Sequence, residues 1–416
     1  MSNRFPKQGL ERELLFAEME EARSSDVDWR GGRINVYTHF ASDEVLEVAK
    51  DAARMFFSEN ALGPAAFPSL KRFETEVVSW TLGLLNGSNA ATGNITSGGT
   101  ESIFMALKTA REWGRANKSG LSIPEVIVPY SAHPAFNKGA HFLDMKVTRI
   151  PIRDDYRADV EAMAAAVGPD TVMLVGSAPQ FPHGVFDPIK DLASLAQANG
   201  LWLHVDACVG GFMAPFMRRL GHPIPEFDFS VPGVTSISAD LHKYGFTAKG
   251  ASAVLFHDEA LRPYQIFEFD DWSRGHYSSP TMAGTRPGGP IAAAWAVLRY
   301  LGEEGYINLA RQIIEGRDAL IRGIRAIDGL DMVCEPELTI TGYLSHDLDI
   351  QAIAEAMRER GWFVALAAEP PSIHLGMLTM AHVPIVDNYL ADLLTSMEEV
   401  RGGRTDSGVA EVSYGG

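Results

Sequence analysis

The sequence predicts an α/β protein built on a mostly parallel sheet in a large domain, followed by a smaller carboxyl-terminal α+β domain. From about residue 90, short apolar runs alternate with helical patterns, which is typical of parallel strands covered by helices on both faces. A stretch with three prolines and three glycines, Tyr277–Pro290, interrupts this pattern. A long helical pattern follows, and the chain from about residue 330 to 400 predicts strand, strand, helix, strand, strand, helix.

Length and composition set the domain organisation. The chain has 416 residues, of which 46% are hydrophobic and 21% charged, as expected for a globular protein of two domains. We predict an N-terminal segment at 1–60, a large domain at 61–300 and a small domain at 301–400. The last residues, 401–416, are rich in glycine and poor in apolar side chains, so we predict a disordered tail.

Charge and cysteine content exclude several classes of protein. A net charge of −17 argues against a nucleic-acid partner, although a local basic cluster can still bind a small anion. Cys208 and Cys334 are the only cysteines, which suits a reducing compartment without disulfides. The segment Met1–Trp29 lacks the apolar core of a secretory signal, and no apolar run reaches the roughly 18–20 residues of a membrane span. We therefore predict a cytoplasmic protein with no membrane span.

The individual elements follow from periodicity. Apolar residues at intervals of three and four between Leu70 and Leu84 predict an amphipathic helix. Helical patterns also cover Ser102–Arg115, Pro188–Asn199 and Ile291–Ile327. Strands are predicted at the apolar runs Glu125–Pro129, Val147–Ile150, Val172–Gly176, Leu201–Val205, Thr235–Ser238 and Ala251–Phe256. Ligands of parallel sheets bind beyond the carboxyl ends of the strands, so the residues after each run are the candidate site.

The first candidate site is the run Asn94–Ser102, which is rich in small residues and leads into a helix. Small residues let the backbone approach a ligand, and a helix N-terminus offers unpaired N–H groups, so the run predicts a phosphate cradle. Thr100 can add a hydroxyl donor and act as the N-cap. The alternative is a capped turn without a ligand. The run matches neither a P-loop nor a GxGxxG fingerprint.

The second candidate site is Asp206, at the end of an apolar strand and followed by small residues. A carboxylate buried there needs a partner, and a protonated pyridine nitrogen would supply one. One alternative is a metal bound by His204 and Asp206 with a distant histidine. The other is an aspartate that caps the next turn.

Two further sites follow apolar runs. Lys243 lies just after a predicted strand, where a partly desolvated amine can form an imine, although a surface lysine would look the same. Ser238 and His242 could add donors to the phosphate. His133 could stack on a planar cofactor, or it could be a hydrogen-bonded loop histidine.

These features converge on one cofactor. Four strand ends, which we expect to be consecutive, supply a phosphate cradle, a stacking ring, an acid for a ring nitrogen and an amine. Those are the groups that a protein contributes to pyridoxal 5′-phosphate (PLP). The sequence therefore predicts PLP bound as an imine on Lys243.

At these residues the sequence resembles the fold-type I PLP-dependent transferases, specifically the group II decarboxylase branch, and within it is similar to the sphingosine-1-phosphate lyase family. The resemblance extends from about Tyr37 to residue 400. It is carried by the segments Thr96–Ile103, Ser131–Lys138, Pro179–Gly184, His204–Phe212, Ser236–Gly245 and Arg286–Gly289.

The resemblance implies a role for each candidate residue. It implies that Lys243 carries the imine, that Asp206 pairs with the pyridinium nitrogen and that His133 stacks on the ring. The residues that it assigns to the cofactor phosphate are Gly99, Thr100, Ser238 and His242, with Gly284 and Thr285 from a second subunit. It assigns Tyr37 and Lys249 to the substrate phosphate; the alternatives are a packed tyrosine and a solvated lysine.

The lyase family implies a homodimer with shared active sites and a retro-aldol cleavage of a phosphorylated amino alcohol to an aldehyde and ethanolamine phosphate. Two residues depart from its pattern: Gly63 stands where the family has a histidine that binds the substrate phosphate, and Phe246 replaces a tyrosine. Two alternatives therefore stay open, a PLP-dependent amino-acid α-decarboxylase and a catalytically silent binding protein of the same fold.

Overall fold

The computed structural model describes residues 5–403. Its strands are β1 (Thr92–Thr96), β2 (Glu125–Pro129), β3 (Lys146–Ile150), β4 (Thr171–Ser177), β5 (Trp202–Asp206), β6 (Ser236–Ala239), β7 (Ser252–Phe256), β8 (Phe267–Phe269), β9 (Tyr277–Ser279), β10 (Leu330–Met332), β11 (Ile340–Ser345), β12 (Ala365–Ala368) and β13 (Pro371–Met377). Its α-helices are α1 (Arg12–Arg23), α2 (Asp43–Met55), α3 (Pro68–Leu84), α4 (Gly99–Asn117), α5 (Ala135–Phe142), α6 (Val160–Ala166), α7 (Ile189–Ala198), α8 (Ala214–Arg219), α9 (Arg262–Gln265), α10 (Gly288–Arg325), α11 (Ile350–Glu359) and α12 (Val386–Arg401).

The large sheet has seven strands in the order β1-β7-β6-β5-β4-β2-β3. The strands from β6 to β3 pair in parallel, whereas β7 is antiparallel to both β6 and β1. This confirms the predicted α/β class and the mostly parallel sheet. Because β1 and β6 are both antiparallel to β7, β1 runs in the same direction as the parallel strands. Its carboxyl end therefore lies at the same edge of the sheet as theirs.

Two predictions about this sheet are wrong. Strand β1 was not among the predicted strands, because Thr92–Thr96 contains a single strongly apolar side chain, Ile95. The four strand ends that carry the site are not consecutive either. Strand β7 separates β1 from β6, and β4 separates β5 from β2.

Helix α4 forms the core between the sheet and α5. Its central residues Ile103 and Leu107 are buried, as are Ser102 and Thr109. The helix begins at Gly99 with Gly98 as its N-cap, and no side chain caps it. Thr100 is therefore inside the first turn, and the prediction that it acts as the N-cap is wrong.

Helix α10 connects the large domain with the second sheet. It is interrupted at Gly302, which has φ 55° and ψ −177°. The second sheet has the order β10-β11-β13-β12, is entirely antiparallel and carries α11 and α12, which confirms the predicted α+β unit. The boundary at residues 300 and 301 stays a prediction.

Two local contacts complete the fold. The turn-rich stretch Tyr277–Pro290 contains β9, which pairs with β8. The chain around Asn35 lies along β13, since the Met377 N–H donates to the Asn35 carbonyl oxygen at 2.9 Å. Within residues 5–403 no helix combines the length and the apolar character that crossing a bilayer requires. The predicted disordered tail starts too early, because Arg401 is still the last residue of α12; residues 404–416 lie outside the described part of the chain.

Candidate functional site

A cleft of about 1080 Å³ opens at the carboxyl edge of the large sheet. Six of the predicted site residues line it: Gly99, Thr100, His133, Asp206, His242 and Lys243. They come from the segments that follow β1, β2, β5 and β6, as the sequence predicted. The sheet topology brings them together because β1 runs in the same direction as the parallel strands.

One wall of the cleft is the N-terminus of α4. The first N–H groups of a helix have no intrahelical partners and lie at the positive end of its dipole, which favours an anion. The loop before the helix is fixed by Glu101, whose Oε2 accepts from the Ser97 N–H at 2.7 Å. A Cβ built on Gly99 would lie 2.8 Å from Cys208 Sγ and 2.9 Å from Asp240 Oδ1, so only glycine fits there without movement. This geometry fits a phosphate cradle.

Asp206 lies in the floor of the cleft. It is 8% exposed, and its Oδ1 accepts hydrogen bonds from the Cys208 N–H at 3.1 Å and from Ser238 Oγ at 3.2 Å. The carboxylate therefore stabilises the following turn and also faces the cleft, so the two interpretations of Asp206 are compatible. Ser238 is fully buried behind Asp206 and does not line the cleft.

Lys243 is held by a carboxylate that the sequence analysis missed. Its Nζ lies 2.9 Å from Oδ2 of Asp240, which is 2% exposed. Burial disfavours the Lys243 ammonium, but the charge of Asp240 and its hydrogen bond outweigh burial, so the pKa of Lys243 is raised. The sequence signal for Asp240 was a polar residue directly after β6 and three positions before Lys243.

His133 is fixed by the start of helix α5. Its Nδ1 accepts a hydrogen bond from the Ala135 N–H at 3.1 Å. Burial lowers the pKa of His133, although Asp206 acts in the opposite direction, so the ring is kept neutral at physiological pH. A neutral, fixed ring beside the cleft is suited to stacking on a planar ligand.

The structure gives the metal alternative no ligand set. His204 is fully buried, with Nδ1 2.8 Å from Ser236 Oγ and Nε2 3.3 Å from Ser238 Oγ. Among the described residues, no group of three histidine, cysteine, aspartate or glutamate side chains could hold a metal ion.

A second cavity, of about 1700 Å³, adjoins the cleft and shares His133 and Phe181 with it. Tyr37 lines this cavity with φ 66° and half of its surface exposed. Lys249 lies beside the cleft, where its Nζ donates to the His242 carbonyl oxygen at 3.1 Å. Lys249 is exposed as a residue, but desolvation of its Nζ beside the cleft, followed by the charge of Lys243, lowers the pKa of Lys249 to about 8.

Gly284 and Thr285 do not line the cleft of their own protomer. Thr285 Oγ1 accepts from Asn60 Nδ2 at 3.4 Å, and the Ala61 N–H donates to the Arg286 carbonyl oxygen at 2.9 Å. The loop 284–286 thus packs against the segment that precedes Gly63. The structure brings these positions together, away from Lys243.

Phe246 belongs to the hydrophobic core and does not line the cleft. It is 7% exposed and packs nearly parallel to Tyr306, with ring centroids 6.3 Å apart. The absence of a hydroxyl at this position therefore removes no donor from the cleft of the same protomer.

The comparisons with known proteins agree on one family. The model of the pyridoxal-dependent decarboxylase conserved domain matches residues 48–343. The sphingosine-1-phosphate lyase of Arabidopsis thaliana is 42% identical, with 99% of this chain and 76% of the relative aligned. The structure of a sphingosine-1-phosphate lyase from Burkholderia pseudomallei has a TM-score of 0.92 and 38% identity over 97% of this chain and 94% of the other. A glutamate decarboxylase from Lactobacillus brevis shares the fold, with a TM-score of 0.85 at 17% identity over 98% of this chain and 96% of the other.

Proposed function

Because the chain belongs to the pyridoxal-dependent decarboxylase family and its relatives include sphingosine-1-phosphate lyases, we propose that it is a PLP-dependent carbon–carbon lyase of that type. Its reaction is the cleavage of a phosphorylated long-chain amino alcohol, such as sphingosine 1-phosphate, to an aldehyde and ethanolamine phosphate. One observation carries the proposal: a cofactor cleft lined by the partly buried Lys243 adjoins a large, mostly apolar cavity. A lyase that acts on a lipid needs both.

The residues of the cleft fit PLP. Bound PLP supplies an electron sink for the bonds at the substrate's amine-bearing carbon. Lys243 Nζ would be the amine that bonds the cofactor, and Asp206 would pair with the pyridine nitrogen. His133 would stack on the ring. Ser238 acts through Asp206, to which its hydroxyl donates, rather than through the phosphate.

The phosphate of the cofactor belongs at the start of α4. Gly99 and Thr100 present backbone N–H groups there, and Thr100 adds a hydroxyl donor. His242 lies next to the N-cap of α4, since its Cε1 would be 3.5 Å from a Cβ built on Gly98. Burial lowers the pKa of His242, so the ring binds as a neutral donor at physiological pH.

The second cavity suits the hydrocarbon chain of the substrate. Its walls include the apolar side chains of Val36, Phe363, Val364 and Leu366, and it joins the cleft at His133. Lys249 is placed to hold the substrate phosphate, with Tyr37 as a further donor from the cavity side. Lys249 has no carboxylate partner among residues 5–403, and an uncompensated cation beside the cleft favours an anionic substrate.

The functional unit that we propose is a cytoplasmic homodimer. Helix α1 buries none of its side chains in the protomer, although Leu14, Leu15, Phe16 and Met19 are apolar. Large apolar patches on an isolated chain mark interaction surfaces. In this dimer Gly284 and Thr285 reach the partner's cofactor. Both cysteines are free thiols, which agrees with a reducing compartment.

The test is a product assay with a spectroscopic control. Purified protein is incubated with PLP and sphingosine 1-phosphate, and the long-chain aldehyde and ethanolamine phosphate are quantified by mass spectrometry. Lys243→Ala should abolish both products and the visible absorbance band of the imine. Release of carbon dioxide from amino acids without aldehyde formation would overturn the proposal in favour of a decarboxylase. Absence of the imine band from the wild-type protein would favour a binding protein.

A further inference from the structure

The most unusual charge in the cleft is Asp240. Its carboxylate is buried and contacts Lys243 Nζ at 2.9 Å through Oδ2. Its other oxygen, Oδ1, is also buried and has no hydrogen-bond partner among the described residues. A carboxylate in such surroundings is costly unless a cation compensates it. Here the cation is the lysine that bonds the cofactor.

The carboxylate is held rigidly on its other side. A Cβ on Gly99 would approach both Asp240 oxygens to 2.9 and 3.0 Å, so the backbone of α4 already lies against the carboxylate. His242 Nε2 is 3.8 Å from Oδ2, a longer contact than that of Lys243. The start of α4 therefore leaves the Asp240 carboxylate little room on that side, and Oδ2 stays within contact distance of Nζ.

The charges around the pair favour its ionised form. Burial would protonate Asp240, but the charge of Lys243 outweighs burial, and the pKa of Asp240 is lowered. The titratable groups that act on the pair from the surrounding elements are Cys208, Asp206, His242, His133, His39, Tyr244 and Lys249.

We propose that Asp240 is a positioning residue for Lys243, pairing with its ammonium whenever the amine is not bonded to the cofactor. The pair keeps Nζ beside the phosphate cradle and keeps it protonated, so the lysine must lose a proton before it bonds the cofactor. This inference rests on the proposed role of Lys243 as the amine that forms the imine. It adds a function for a residue that lines the cleft and to which that scheme assigns no role.

The first experiment follows imine formation by stopped-flow absorbance, from cofactor-free protein at saturating PLP, across a range of pH. The rate for Asp240→Asn should rise at lower pH than that of the wild type. At pH 7.5 it should be at least about tenfold faster, because each unit of lowered pKa gives ten times more neutral amine. Asp228→Asn is the matched control, since Asp228 is another buried aspartate paired with a cation, Arg218, outside the cleft. An unchanged pH profile and rate in Asp240→Asn overturns the proposal.

The second experiment needs neither cofactor nor activity, and it applies even if Asp240→Asn folds poorly. In Lys243→Met the Asp240 carboxylate stays buried without its cation, which raises its pKa above the unfolded value. Stability is then lost as the pH rises through the raised value, so between pH 5 and pH 8 the unfolding temperature should fall, relative to the wild type, by at least about 3 °C. The double variant Asp240→Asn/Lys243→Met should lose this dependence.

The outcomes separate the two proposals. If the double variant keeps the pH dependence of Lys243→Met, the pairing of Asp240 with Lys243 is wrong whatever the enzyme does. If the pairing is confirmed but wild-type protein forms no imine with PLP, the proposed function is wrong. The Asp240–Lys243 pair would then be a structural ion pair without a role in cofactor binding.

Discussion

Replacement of Gly99 by alanine tests how tightly the phosphate cradle is built. The new Cβ would lie 2.8 Å from Cys208 Sγ and 2.9 and 3.0 Å from the two Asp240 oxygens. Distances under 3.0 Å require movement, and the atoms met are a buried thiol and a buried carboxylate that pairs with Lys243. Gly99 begins helix α4, where alanine is otherwise the more favourable residue. The effect of the substitution is therefore steric.

The magnitude follows from the contacts. Overpacking of a well-packed site typically costs about 1–3 kcal/mol. Relief requires either the start of α4 to withdraw from the cleft or Cys208 and Asp240 to move, and each displaces a group that lines the proposed cofactor site. If the whole cost appears in the affinity for PLP, the dissociation constant rises about 5- to 150-fold.

The assay is an equilibrium titration of cofactor-free protein with PLP, followed by absorbance. Gly98→Ala is the matched control, because a Cβ on Gly98 would meet only His242 Cε1 at 3.5 Å, an ordinary contact. Adding Cys208→Ala to Gly99→Ala should recover part of the affinity by removing the 2.8 Å contact. Equal dissociation constants for Gly99→Ala and Gly98→Ala would refute the reasoning.

Three further predictions concern the anion site and the supports of the cleft. In the wild type the KM for a phosphorylated substrate should rise as the pH passes about 8, because Lys249 loses its charge there. Lys249→Gln should abolish this pH dependence of KM. A KM that still rises near pH 8 in the variant would exclude Lys249 from the phosphate site. Arg286→Met leaves the largely buried Glu74 carboxylate without its bidentate partner, so denaturant unfolding should show a loss of about 3–5 kcal/mol, reduced when Glu74→Gln is added. Tyr244→Phe removes the hydroxyl that is hydrogen bonded to Thr339 and should lower the free energy of unfolding by about 1–3 kcal/mol; an unchanged value would show that water replaces the bond.

Much of the architecture could be predicted because the strands of the large sheet are apolar on both faces. Strands β2 and β4 to β7 are entirely buried, and each was predicted to within a residue or two. Strand β1 was missed because it takes its stability from pairing with β7 rather than from its own side chains. The sequence therefore located the strand ends that carry the candidate site but not their order in the sheet.

The candidate site was predictable where a residue type implies a chemical role and not where a role depends on a neighbour. Lys243, Asp206 and His133 carry recognisable chemistry in a strand-end position, and the fold brings them to one cleft. Asp240 lies inside the segment Ser236–Gly245, but the sequence predicted no role for it. Its pairing with Lys243 becomes visible only from the 2.9 Å contact between the two side chains.

The effect of a departure from the family pattern is equally hard to predict from the sequence alone. Phe246 lies in the core of its own protomer, where its ring packs against Tyr306. Gly63 follows the segment 60–61 that is hydrogen bonded to the loop 284–286, and it does not line the cleft of its own protomer. A sequence shows that a residue differs from the family pattern, but it does not show whether that residue lines the active-site cleft.

The two walls of the apolar cavity have separate origins in the chain. Its inner side, at His133 and Phe181, belongs to the unit that holds the cofactor, whereas its outer side is the segment 363–369 around strand β12. The outer segment contributes nothing to the cofactor cleft. Natural variation or directed evolution at 363–369 can therefore change the chain length or shape of the accepted substrate while the cofactor chemistry is inherited intact.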